Sequence, residues 1–352
     1  MNVANQGVPA GRAAMPLAKL LGWQRMRLLP AGILLAVAAL VPLVVSNYYV
    51  INLLILIMIF AILNQSWNLT LGICGTWNFG QLGLFALGGY MTGITSVKLG
   101  LSPWLAMLLG VLVAGIANFP LMYPSLRLRG IYVALLTFSF AEVIHLLILN
   151  DDSGLTGGPF GFNGIPGLFD RFSPRAEQWS YYWLALALCT LTAYVIYRVV
   201  NSPLGLAFKT LRDSTRYSVS LGVSYRKYQL LATTLSALFA GLSGALYAVY
   251  LSSITPGVMG LGPLSLYVLM IVVGGMGTIS GPILGTFVVM VLTEVLRDFQ
   301  EWRLLVLGAA LLLILVFQPA GLVGLMSKGV SGLKSWMEGG EASKIKSKTG
   351  AP

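Results

Sequence analysis

A chain of 352 residues that is 57% apolar and 9% charged, with a mean hydropathy of +0.83, carries more apolar surface than a water-soluble core can use, which excludes a soluble globular domain. Its net charge of +11 does not mark a nucleic-acid binder, because the basic residues sit at the ends of apolar runs and form no single patch with interleaved aromatics; the partner implied is the lipid bilayer. Nearly the whole apolar content falls in runs of about 17 to 22 residues, the length of a helix across roughly 30 Å of hydrocarbon, and stretches such as Leu53 to Leu63 are apolar on every face, which excludes the alternation of a β-barrel.

In chain order, residues 1–29 read as a cytoplasmic N-terminal segment. Arg25 and Arg27 precede the first apolar run and no small-residue cleavage site follows it, so that run is a retained helix and not a signal peptide. About ten spans are predicted, near 30–47, 50–71, 79–97, 103–123, 131–149, 180–200, 229–251, 259–273, 278–296 and 303–318. Residues 30–320 are thus an all-α integral membrane domain. The third, eighth and ninth spans are rich in glycine and are the ones expected to be broken or re-entrant. With the N-terminus inside, every basic residue except Lys98, Arg171, Arg175, Arg297 and Arg303 falls on the inner side, which places both termini in the cytoplasm. The Lys-rich stretch 321–352 reads as a cytoplasmic, largely disordered tail. Cys74 and Cys189 form no CxxC pair and the chain has one His, so neither a zinc site nor a disulfide is supported, and both are read as packing residues.

Four segments could carry mechanism. The stretch 72–93 holds Trp77, Asn78 and Gln81 among glycines, and reads either as tight helix packing or as a broken helix lining a solute path. Glu142 and His145 lie three residues apart on one face of the fifth span. An ionised group there costs roughly 2.5 to 3.5 kcal/mol, so the pair needs protein or water beside it. It reads as a lock between helices, as part of a solute path, or as a proton relay. The outer connection, 150–180, is rich in Gly, Pro and aromatics and contains Thr156-Gly157-Gly158-Pro159. The inner connection, 201–228, holds a short amphipathic helix: Ser202 at the N-cap, Pro203 at the first helical position, Leu204, Phe208 and Leu211 as an apolar stripe, and Lys209, Arg212 and Arg216 as a basic one. Such a helix either lies on anionic lipid or docks in the groove of a partner protein.

The run Ser202-Pro203-Leu204-Gly205, then Ala207, Arg212-Asp213 and Leu221-Gly222-Val223, continuing through Ser236 to Ala248, closely resembles the permease family of branched-chain amino-acid ABC importers. The glycines at 72, 75, 80 and 88 with Phe85 and Tyr90 match as well, as do Thr137 with Phe140-Ala141-Glu142, Leu155 to Pro159, Gly274 to Thr278 with Gly281-Pro282, and Gln318 to Leu322. The resemblance implies a second homologous permease subunit, two cytoplasmic ABC ATPases and a periplasmic solute-binding protein as partners, in a bacterial inner membrane. It implies that Ser202, Pro203, Gly205, Phe208, Lys209, Leu211, Arg212, Asp213 and Gly222 couple to the ATPase, and that Thr156, Gly157 and Gly158 face the binding protein. The chain departs from the family at Tyr217-Ser218-Val219-Ser220, where a small and acidic run is usual, which implies an ATPase matched to this chain. Asn78, Gln81 and His145 also replace the family's usual residues and bear on the solute.

No GxxxxGK[ST] loop is present, so ATP and Mg belong to the partner ATPases and no cofactor is assigned to this chain. No Ser-His-Asp, HExxH or paired-carboxylate arrangement is visible either, so a transport subunit is expected and not an enzyme. The expected solute is a branched-chain or other amino acid, with urea or a short-chain amide as an alternative within the family. A secondary transporter or channel working alone is the competing class.

Overall fold

The computed structural model describes residues 47–299 apart from Arg129 and Arg171, with isolated positions within 38–42, 306–309 and 321–324. The first and tenth expected spans fall almost wholly outside the described residues, as do segment 1–29 and all but the first four residues of the expected tail. From Tyr49 onward the elements belong to one unit.

In chain order the helices are α1 (Tyr48–Asn68), which runs on as a π-helical turn (Leu69–Ile73), α2 (Gln81–Val97), α3 (Pro103–Ser125), α4 (Ile131–Leu149), α5 (Pro174–Val200), α6 (Pro203–Asp213), α7 (Thr215–Ser220), α8 (Tyr225–Leu251), α9 (Leu261–Gly274) and α10 (Gly281–Val295). Among the described residues five helices are long and apolar enough to cross a membrane: α1 with its π turn, α3, α4, α5 and α8. The three glycine-rich spans are the ones that fall short of a full crossing helix or start late. The third span becomes helical only at Gln81, and the eighth and ninth are helices of 14 and 15 residues. At 1.5 Å per residue these two reach about 21 to 23 Å, short of the hydrocarbon thickness. The two connections are shorter than expected, because α5 starts at Pro174 and α8 at Tyr225.

α1 is surrounded by protein from Ile55 onward: Ile55, Ile59, Ile62, Leu63 and Trp67 are fully buried. Its hydrogen bonds tie it to both halves of the bundle. Ser243 of α8 donates to the Ile59 carbonyl (2.6 Å), and Asn64 donates to Thr286 of α10 (2.8 Å) and to Met270 Sδ of α9 (3.1 Å). Bonds of this kind contribute about 0.6 kcal/mol each in a bilayer, so they fix register more than they hold helices together.

Close backbone packing does the holding. α2, α3 and α8 form a three-helix unit, in which a Cβ at Gly88 would overlap the Gly241 carbonyl and a Cβ at Gly244 would overlap the Phe85 carbonyl. α9 and α10 form a second tight pair, with Gly274 against the Gly281 carbonyl and Gly285 against that of Met270. Gly244→Val is therefore expected to force α2 and α8 apart and to cost about 1–3 kcal/mol, the usual range for overpacking. A thermal melt in detergent measures this, and an unchanged midpoint would remove close approach as the reason for that glycine.

A two-residue antiparallel ribbon pairs Phe162 with Ile254 and Asn163 with Ser253, which pins the loop after α4 to the end of α8. At the opposite ends of the spanning helices, α6 and α7 lie in the connection between α5 and α8.

Candidate coupling and solute-pathway site

The amphipathic helix predicted after residue 200 is α6. Pro203 opens it at the first position, where its missing N–H is no loss. Ser202 does not cap with its hydroxyl, which donates instead to the Val199 carbonyl (2.6 Å). The buried face consists of Gly205, Ala207, Phe208 and Leu211. Leu204, expected in the buried stripe, is exposed. The reason is steric: a Cβ at Gly205 would overlap the Val200 carbonyl, so the small residue takes the position of closest approach to α5. Phe208 lies edge-on to Tyr228 of α8, with ring centroids 6.4 Å apart. Lys209 is half-buried and Arg212 and Asp213 are exposed.

α7 follows at once. Its N-terminus is capped by Ser214, whose hydroxyl accepts the N–H of Tyr217 (3.4 Å), and it ends at Gly222 with φ +83°, a left-handed turn that a glycine makes without strain. Within the unusual run Tyr217 to Ser220, Ser218 is buried and donates to the Ser214 carbonyl (2.8 Å), whereas Tyr217 and Val219 point outward. Leu204, Leu206, Tyr217, Val219 and Leu221 are the large apolar side chains exposed within 204–221, a strip along the sequence and not along one helix face, since residues two apart point to opposite sides of a helix. Beside it is a groove of about 490 Å³ lined by Leu126, Arg127, Val219, Val223, Ser224, Tyr225 and Arg226.

The stretch from the end of α1 to the start of α2 gathers three of the five pathway candidates. The Cys74 N–H donates to the Leu69 carbonyl (3.0 Å), the i to i+5 register that defines the π turn. The chain then reverses at Gly75 (φ +75°) and runs through Trp77, Asn78 and Phe79 before α2 begins. Asn78 is fully buried; its Oδ1 accepts the Gly80 N–H (3.0 Å), while its Nδ2 has no partner among the described residues. Gln81 is fully buried, and its Nε2 donates to Ser66 Oγ of α1 (2.9 Å) and Ser236 Oγ of α8 (3.0 Å). It joins three helices. Trp77 is half-exposed. Gln65 is also buried, with no partner for either amide atom among the described residues, a feature that sequence pattern gives no reason to single out.

Glu142 and His145 form their own pair, with His145 Nδ1 3.3 Å from Glu142 Oε1. α2 meets α4 through Thr137, Ala141 and Ile144, against which Gly80 and Gly83 pack. Glu142 and His145 are each one residue further round α4, on a flank where the Glu142 side chain is 42% exposed and that of His145 is 19% exposed. The structure therefore brings this pair together but not into the Gln81 network.

In the outer connection, Asp151 organises the loop. Its carboxylate accepts from Ser153 Oγ and from Thr156 Oγ1 (2.7 Å) and N–H, and these bonds hold its carboxyl far below the usual carboxylate range. Lys98 Nζ donates to the Gly154 carbonyl (2.7 Å). Thr156 is half-buried, Gly157 takes φ +81°, and Gly158 is buried, while Leu155 and Phe160 project from the loop. Among the described residues, no three His, Cys, Asp or Glu side chains are grouped to hold a metal ion.

Comparison with known proteins gives this geometry a setting. The profile of the family described as branched-chain amino acid transport system / permease component matches residues 49–315. The high-affinity branched-chain amino acid transport system permease protein LivM of Escherichia coli is 34% identical over 313 residues, covering 82% of this chain and 73% of the relative. Its Salmonella typhimurium counterpart is 33% identical over 331 residues, covering 88% and 77%. A probable branched-chain amino acid transport permease protein LivM of Methanocaldococcus jannaschii is 22% identical over 314 residues, covering 75% and 90%. No solved structure matches. With a family profile spanning most of its length and two relatives above 30% identity, the chain belongs to the family of permease components of branched-chain amino-acid transport systems.

Proposed function

We infer that the chain is the multi-pass permease subunit of an ABC importer in the bacterial inner membrane, and that the solute it moves to the cytoplasm is a branched-chain amino acid. The observation that carries this is the match from 49 to 315, supported by relatives described as permeases of branched-chain amino-acid transport. Such a subunit works beside a second homologous permease, two cytoplasmic ATPases that bind ATP and Mg, and a periplasmic solute-binding protein.

The roles follow from the surfaces. α6 and α7 face the cytoplasm and dock on an ATPase through exposed apolar side chains of the strip from Leu204 to Leu221. Tyr217 and Val219, where the chain departs from its family, lie in this strip and select the matching ATPase. Thr156, Gly157 and Gly158 shape the periplasmic loop from which Phe160, 85% exposed, meets the binding protein. Trp77, the free amide of Asn78 and the Glu142–His145 flank border the solute path, whereas the saturated bonds of Gln81 suit a lock between helices. ATP binding draws the ATPases together, moves α6, and shifts the bundle from outward to inward opening.

The test is uptake into liposomes holding this chain with the subunits that copurify with it. Labelled leucine, isoleucine and valine are expected to enter only with ATP and binding protein, ahead of urea and short amides. Entry driven by an ion gradient without ATP would show a transporter that works alone.

A further inference from the structure

One side chain of the coupling helix reaches the broken end of α1. Arg212 of α6 turns inward, and its Nη1 donates to the Gly72 carbonyl in the π turn of α1 (2.9 Å). A helix end leaves carbonyls without intrahelical partners, and a cation is favoured there by the helix dipole. Arg212 therefore caps α1 from an element 140 residues away. Asp213 Oδ1 lies 3.3 Å from both Nε and Nη2 and steadies the guanidinium. The fit is close: a Cβ at Gly75 would come within 2.6 Å of Arg212 Cγ, and one at Gly277 within 3.1 Å of Arg212 Nη1.

The capped turn is itself clamped to the loop between α9 and α10. Asn68 Oδ1 accepts the Gly277 N–H (2.8 Å), and Asn68 Nδ2 donates to the Thr278 carbonyl (2.7 Å). Three elements thus meet at one point: the coupling helix, the broken end of α1, and the α9–α10 loop. The π turn leads directly into Trp77 and Asn78.

We propose that Arg212 is the positioning residue that transmits movement of the coupling helix to the π turn and the α9–α10 loop, and that without it ATP hydrolysis proceeds uncoupled from transport. This rests on the importer reading and assigns Arg212 a role inside the permease, separate from gripping the ATPase. Cys74, two residues beyond Gly72 and buried, is a native reporter of the turn. In the whole importer with Cys189→Ala, alkylation of Cys74 is measured on this chain by mass spectrometry, without nucleotide and with ATP trapped by vanadate. The rate is expected to differ between the two states with Arg212 present and to become independent of nucleotide in Arg212→Ala. Solute moved per ATP hydrolysed is expected to fall about tenfold, the factor that one charge-assisted hydrogen bond sets in a two-state equilibrium, while copurification of the ATPases is unchanged. Arg212→Lys, which keeps a cation and a donor, recovers part of the yield. Should Arg212→Ala fail to accumulate, Asn68→Ala cuts the other side of the tie away from the docking strip and is expected to give the same uncoupling. Loss of ATPase copurification, an unchanged transport yield, or a Cys74 rate indifferent to nucleotide in the parent importer would overturn the proposal. Failure of the parent importer to transport with ATP would instead remove the importer reading.

Discussion

Phe208→Ala is expected to remove nearly all ATP-driven uptake while leaving the chain inserted in the membrane. Phe208 is 1% exposed and is the largest side chain under α6, where its ring meets Tyr228. α6 has 11 residues, too few to be stably helical by itself in water. Its order therefore comes from docking on α5 and α8, and the truncation costs about 3–5 kcal/mol, the usual range for a buried Phe reduced to Ala. That exceeds what the neighbouring contacts restore: the exposed Arg212–Asp213 pair is worth at most about 1 kcal/mol. The spanning helices do not depend on this residue, so expression and α2–α3–α8 packing survive. Hydrogen exchange over 203–220 is expected to rise sharply in the variant and uptake to fall by two or more orders of magnitude. Protection and uptake that both stay near the parent level would show that α6 is held by something other than its buried face.

Much of this arrangement is legible in the sequence, and the parts that are not share a cause. Pro203 after Ser202 marks the start of α6 because the first helical position is the one where a proline's missing N–H and fixed φ are no loss. The glycines of 72–93, Gly88 among them, announce close helix approach, although only the fold shows that Gly88 meets Gly241. The π turn leaves no local trace. Its residues Leu69 to Ile73 read as ordinary helix, and the groups that stabilise its end are Arg212 and the Asn68–Gly277 bonds, all remote in sequence. Leu204 misleads for a related reason. Hydrophobicity ranks it above Gly205 for burial, but backbone proximity to Val200 awards the buried position to the residue with no side chain. Glu142 and His145 are legible as a pair from their spacing, while their separation from Gln81 depends on how α4 is rotated against α2. Apolar side chains in a bilayer do not encode that rotation, since lipid and protein are equally apolar.

Leu206→Asp complements Phe208→Ala, because it attacks the opposite face of the same helix. Leu206 is 66% exposed and lies two residues before the buried Phe208, on the outer side of α6. A charge there costs the chain's own fold little, since surface changes of this kind usually stay within about 0.5 kcal/mol. At a docked interface the same residue is desolvated, and truncating or charging a central apolar contact costs about 2 to 4 kcal/mol, which weakens ATPase binding roughly 30- to 1000-fold. Copurification of the ATPase is therefore expected to be lost while the melting temperature of the permease and the protection of 203–220 stay at parent values. The two variants separate the forces on α6: one loses the inner face and loosens the helix, the other keeps an ordered helix that has nothing to grip. If Leu206→Asp retains its ATPase and its uptake, the strip is a lipid-facing surface, and the motor must engage this chain elsewhere.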